Sequence, residues 1–69
     1  MIIHAVLFDK NMSKYEMKKF LNGLDKKYIR HEKSDKYERY TFNNPNYKKY
    51  YYRTHTINKE IKLIMAIPF

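Results

Sequence analysis

Apolar and polar positions alternate with a period of two along most of this chain, and one interval, near residues 14–22, repeats with helical spacing instead. Ile2 to Phe8 is apolar on both alternating sides: Ile2, His4, Val6 and Phe8 on one, Ile3, Ala5 and Leu7 on the other. A strand with two apolar faces belongs in the middle of a sheet. His4 within it reads as a core or edge histidine rather than a ligand. Met17, Phe20, Leu21 and Leu24 recur at i, i+3, i+4 and i+7 and draw a single apolar stripe. Ser13 and Glu16 ahead of the stripe have the spacing of a capping box, and Met12 with Met17 that of a hydrophobic staple. Asn22-Gly23 supplies the stop, with the chain's single glycine where a left-handed cap would need it. The pattern predicts a helix over about residues 14–22 that packs its stripe on a sheet.

Beyond the helix the period returns to two. Lys26 to Glu32 and Lys36 to Phe42 predict a hairpin around Lys33-Ser34-Asp35, with Tyr40 and Phe42 alternating with Arg39 and Thr41. Asn43-Asn44-Pro45-Asn46 is a turn, because proline presets φ and the asparagines bond locally to the backbone. Asn46 to Phe69 predicts a second hairpin closed by a two-residue loop at Asn58-Lys59. Ile57 then pairs with Glu60, Thr56 with Ile61, Thr54 with Leu63, Tyr52 with Met65 and Tyr50 with Ile67. That register puts Tyr50, Tyr52, Thr54 and Thr56 on the core face with the aliphatics. Lys49, Tyr51, Arg53, His55 and Lys62 share the other face with Ile64 and Ala66. A slip of one residue would exchange the two faces of one strand. The element order is β-α-β-β-β-β, and the fold class is α+β: one amphipathic helix on one face of a mostly antiparallel sheet of four to five strands. The whole of residues 1–69 forms one domain.

Composition narrows the function classes. A chain of 69 residues buries only about 60% of the surface its unfolded form exposes, so a partner or a second copy would help it. The absence of cysteine excludes a disulfide framework and a thiolate metal site, which suits a reducing cytoplasm. No apolar run reaches the length of a membrane span. The opening MIIHAVLF lacks a basic leader and a small-residue cleavage site, and it reads as a strand rather than a signal peptide. His4, His31 and His55 share no metal-ligand spacing, one glycine cannot build a nucleotide loop, and no cofactor is implied.

The formal net charge is +8, and nine of the fifteen cations lie between Lys26 and Arg53 against three acids. Such concentration favours a polyanionic partner, although surface lysines also serve solubility alone. Eight tyrosines interleave with the cations, as in Lys48-Lys49-Tyr50-Tyr51-Tyr52-Arg53. Aromatic rings on an open sheet stack unpaired bases while lysine and arginine hold phosphates. The expected nucleic-acid face comprises Lys49, Tyr51, Arg53, His55 and Lys62, extended by Arg39 and Tyr37.

Ile3 to Phe8, Tyr15 to Leu21, Tyr37-Glu38-Arg39-Tyr40, Arg53-Thr54-His55 and Ile61-Lys62-Leu63-Ile64 together cover nearly the whole chain. In that order they resemble small domains of unsettled function from tailed phages and large DNA viruses. His55 stands where those domains usually carry lysine, and Lys59-Glu60 where they carry glycine. The resemblance implies a viral origin and a fold, and it brings no activity with it; the expected location is the host-cell cytoplasm. The leading expectation is a small, basic, non-enzymatic protein that binds nucleic acid or a host nucleoprotein complex. The runner-up is an inhibitor of a host defence protein, of the anti-CRISPR type, acting by protein contact through tyrosine and arginine. Cleavage of mRNA by Arg53, His55, Tyr51 and Lys49 ranks below both. A homodimer seated on Ile64 and Ala66 of the open face would be the structural alternative.

Overall fold

A computed structural model describes residues 2–69 as β1 (Ile2–Asp9), α1 (Lys14–Leu24), β2 (Arg30–Lys33), β3 (Tyr37–Thr41), β4 (Tyr50–Thr56) and β5 (Ile61–Pro68). The five strands form one sheet in the order β2-β3-β1-β5-β4, and every neighbouring pair is antiparallel. This is the α+β architecture that the pattern predicts, with the doubly apolar β1 at the centre.

The helix begins where its capping residues ask it to. Ser13 is extended, and its Oγ accepts the Glu16 backbone N–H at 3.2 Å. The stop differs from the expectation at Gly23. No glycine has a positive φ, Gly23 lies inside the helix, and Asp25 takes the left-handed position at φ 53°. The Asp25 N–H bonds back to the Asn22 carbonyl at 3.2 Å and closes the last turn. Helix residues Met17 and Leu21 are buried against Val6, Phe8, Tyr40, Phe42, Ile61 and Leu63, and Phe20 and Leu24 pack at the margin of that core. Phe8 anchors it through edge-to-face contacts with Phe20 (5.7 Å) and Tyr40 (5.6 Å).

A helix is about 10 Å across and strands lie about 4.8 Å apart, so one helix covers two to three strands. Here these are β3, β1 and β5, and the helix-side residues of the outer strand β4 stay exposed.

Two local features rearrange the predicted faces. In β1 the register against β5 shifts between Ile3 and Ala5, so His4 is the extra residue of a β-bulge. Ile3 therefore joins Val6 and Phe8 on the helix side, while His4 and Ala5 both face away from it, where the plain alternation had set His4 with Val6 and Phe8.

The second change is in the last hairpin. Thr54 pairs with Ile64, Tyr52 with Ala66 and Tyr51 with Ile67, one residue out from the predicted register. The loop has three residues, Asn58-Lys59-Glu60, and Ile57 N–H bonds to the Ile61 carbonyl at 3.0 Å. Asn58 causes this. Its Oδ1 accepts the N–H groups of both Glu60 (2.8 Å) and Ile61 (2.9 Å), an Asx turn that a two-residue loop could not hold. In β5, Ile61, Leu63, Met65 and Ile67 keep the expected helix side. The faces of β4 are exchanged: Tyr51, Arg53 and His55 lie on the helix side, and Tyr50, Tyr52, Thr54 and Thr56 on the other.

The side of the sheet away from the helix is closed in part by the chain itself. The β3–β4 connection must cross β1 and β5, and it folds its own residues onto that side. Asn46 N–H donates to Tyr52 Oη at 2.8 Å, Tyr47 meets the Tyr52 ring at 5.3 Å, and Tyr52 lies 4.8 Å from the His4 ring. Ala5, Thr41, Ala66 and His4 are buried in this second, smaller core. Ala66, opposite Tyr52, is therefore not free to seat a second copy as expected.

Candidate functional site

The seven residues expected to share one basic face divide between the two sides of the sheet. Tyr37, Arg39 and Lys62 lie on the side away from the helix. Tyr51, Arg53 and His55 stand at alternate positions along the other side of β4, because the Asn58 turn moved that strand by one residue, and Lys49 lies exposed in the turn that leads into it.

On the first side a row runs across the sheet through Glu32, Arg39, Leu7, Lys62 and Thr56. Lys62 Nζ donates to Tyr37 Oη at 3.4 Å and sits 5.5 Å from the centre of that ring. Arg39 is held from two directions. Its Nε donates to Thr41 Oγ1 at 3.1 Å, and its Nη2 points at His4 Nε2 at 3.5 Å. His4 in turn bonds through Nδ1 to Asn43 Oδ1 at 2.8 Å. The tautomer that satisfies all these groups carries its proton on Nδ1 and accepts at Nε2. Both ring nitrogens are thus engaged, which is the core histidine that the sequence predicts rather than a ligand. This side also carries acids: Glu32 opposite Arg39, and Asp9 opposite Tyr37. Its charge is mixed.

The β4 side is different in chemistry. Tyr51 is 41% exposed, and its ring meets that of Phe69 at 5.5 Å, inclined by 45°. Phe69 is brought there by its N–H bond to the Lys49 carbonyl at 3.2 Å. Arg53 and His55 are exposed beside this aromatic pair, and among the described residues neither they nor Lys49 joins an ion pair.

A cluster that the sequence reading passed over lies under the helix N-terminus. Glu38 is buried, and its Oε1 accepts from His31 Nε2 at 2.9 Å and from Lys14 Nζ at 3.1 Å. Burial alone pushes this carboxyl up. The hydrogen bonds from Lys14 and His31, with the ammonium charges of Lys14 and Lys33, outweigh it and hold Glu38 below the ordinary carboxylate value. Glu38 raises the Lys14 ammonium in return. The His31 ring stacks on Tyr40 at 4.2 Å, and burial, aided by the Glu38 charge, raises the Tyr40 phenol. The signal was present in the alternation of β3. Glu38 shares the parity of Tyr40 and Phe42, and a carboxylate on a core face requires partners.

Among the described residues no three His, Asp or Glu side chains converge to hold a metal ion, and no helix is long and apolar enough to cross a membrane. No protein family, curated protein or solved structure matches the chain.

Proposed function

We propose that this protein acts without catalysis by binding unpaired nucleic acid, free or within a host nucleoprotein complex, along the exposed side of β4. The observation that carries the reading is the row of Tyr51, Arg53 and His55 along β4, with Lys49 exposed in the turn just before it. It joins an exposed aromatic pair to cations that, among the described residues, form no ion pair. Alternate residues of a strand point the same way about 6.7 Å apart, so ring and cation follow each other along one line. Stacking a base on Tyr51 and Phe69 contributes roughly 1–3 kcal/mol, while Arg53 and Lys49 hold the backbone through charge. Stacking and phosphate contacts carry little sequence information, so the preference for sequence is weak.

The test is fluorescence anisotropy with labelled single-stranded DNA, RNA and duplex at low and moderate salt. The wild type binds a single strand with affinity that falls steeply with salt, as counterion release demands. Tyr51→Ala/Arg53→Ala weakens it about tenfold or more, from one lost ring and one lost phosphate contact. Arg39→Ala/Lys62→Ala, on the other side of the sheet, leaves it nearly unchanged. The opposite ranking of the two double variants would move the site to the mixed-charge side, and absence of binding at low salt would remove the reading.

The outer edge of β4 favours a second reading. It is a seven-residue edge strand with Tyr51 exposed on it and Ile57 exposed just beyond it, and a strand of a target protein can add to such an edge through main-chain hydrogen bonds. An inhibitor of a host defence protein would use it so, with affinity that changes little with salt.

A further inference from the structure

The geometry points to a second ligand site, on the helix side of the β2–β3 end of the sheet, that takes a nucleoside monophosphate group. A cleft of about 610 Å³ opens there between the last turns of α1, the α1–β2 connection and β3. Lys18, Lys26 and Lys27 line it, Leu21 and Tyr40 supply apolar surface, and Tyr28 and Asn22 complete the wall. The volume falls in the range of about 300–1,000 Å³ in which small-molecule sites lie.

Three features argue for an anionic, planar ligand. The cations come first: no carboxylate lines the cleft, and among the described residues none of the three lysines is ion-paired. Asp25 lines an adjoining groove together with Lys26 and Lys27 and forms no ion pair with either. Like charges lining one cleft raise its positive potential, and a phosphate bound there lowers it. The second feature is the aromatic surface. Tyr28 is 49% exposed, and its ring meets Tyr40 edge-to-face at 4.8 Å, which leaves ring surface for a base.

The third is rigidity. Tyr40 is stacked on His31, His31 is held by Glu38, and Glu38 is held by Lys14. The aromatic wall is therefore set before any ligand arrives, and little ordering cost remains for binding. An acidic peptide would satisfy the lysines but leave the tyrosines without a planar partner.

The same chemistry belongs to a free nucleotide and to the phosphorylated 5′ end of a strand. Titration followed by two-dimensional amide NMR separates these sources, using AMP, adenosine, inorganic phosphate, and a short single strand with and without a 5′-phosphate. AMP is expected to shift the amides of Leu21, Asn22 and Lys26 to Tyr28 and to saturate. Adenosine and phosphate alone bind at least about tenfold more weakly, because each uses half of the site. A 5′-phosphorylated strand that shifts these amides at lower concentration than AMP assigns the strand end, and the reverse order assigns the free nucleotide. Lys26→Gln/Lys27→Gln, at exposed positions that leave the fold intact, weakens AMP about tenfold. Tyr28→Leu removes the advantage of AMP over phosphate. Tyr51→Ala/Arg53→Ala leaves AMP binding as it was, which separates this site from the β4 row. Equal binding of AMP and inorganic phosphate, or no saturable shift with AMP at millimolar concentration, would overturn the assignment.

Discussion

Glu38 shows how one side chain on the wrong side of an alternating pattern reorganises its surroundings. It occupies a core position of β3 opposite Phe8, where an unpaired carboxylate would be costly, and Lys14 and His31 both bond to the same oxygen. Glu38→Gln keeps the shape, loses the charge and is expected to destabilise the fold by about 1–3 kcal/mol at neutral pH. The pH dependence follows from the direction of the shift. A carboxyl held below its ordinary value of 4.5 stabilises the fold above that pH, and the contribution is lost as pH falls through the folded-state value. Thermal unfolding of wild type and variant should therefore differ most near neutrality and converge in acid. A gap that stays constant down to pH 3 would assign the cost to packing instead.

At the scale of elements, the two ends of α1 contrast. Ser13 caps the start as its spacing predicts, but the glycine near the other end is an ordinary helical residue, and Asp25 carries the positive φ. A Cβ added at Gly23 would meet nothing within 4 Å. Gly23→Ala is therefore expected to stabilise the protein by about 0.5–1 kcal/mol, by removing backbone freedom from the unfolded chain. A denaturant midpoint that falls would show that Gly23 has a role beyond the helix. The last hairpin teaches a related lesson. A two-residue loop suits the pattern of Asn46 to Phe69 as a bare string, yet one side-chain oxygen of Asn58 ties two backbone N–H groups and adds a residue to the loop. That single residue carried Tyr51, Arg53 and His55 to the opposite side of the sheet from Lys62.

For the whole molecule, a single helix over five strands leaves two unequal surfaces. One is the uncovered flank of β4. The other is the reverse side of the sheet, where the β3–β4 connection and Tyr52 close over His4, Ala5 and Ala66. The net charge of +8 adds self-repulsion to the folded state. Added sodium chloride screens that repulsion, since the Debye length falls to about 8 Å near 0.15 M. The melting temperature of the free protein should rise modestly with salt, while its affinity for a nucleic-acid strand falls. A melting temperature that drops with salt would mean that attractive pairs such as Lys14–Glu38 dominate the surface field.

Periodicity by itself determined the element order, the central place of β1, the helix with its N-cap and apolar stripe, and the two sides of β3 and β5. Each of these follows from side-chain direction within one element, which local spacing encodes. The single basic, tyrosine-rich face that it predicts is divided between the two sides of the sheet. What the tertiary structure decided was which residues stand together. The bulge at His4 is settled by Asn43, Arg39 and Tyr52, and the register of β4 by Asn58 at the turn, with Tyr52 meeting Asn46 and His4 beyond it. The lysine-rimmed cleft exists only where α1 meets the β2–β3 hairpin. Contacts of this kind join residues far apart in sequence, and a slip of one position exchanges a strand's two faces, so alternation alone could not fix which of the expected residues share a side.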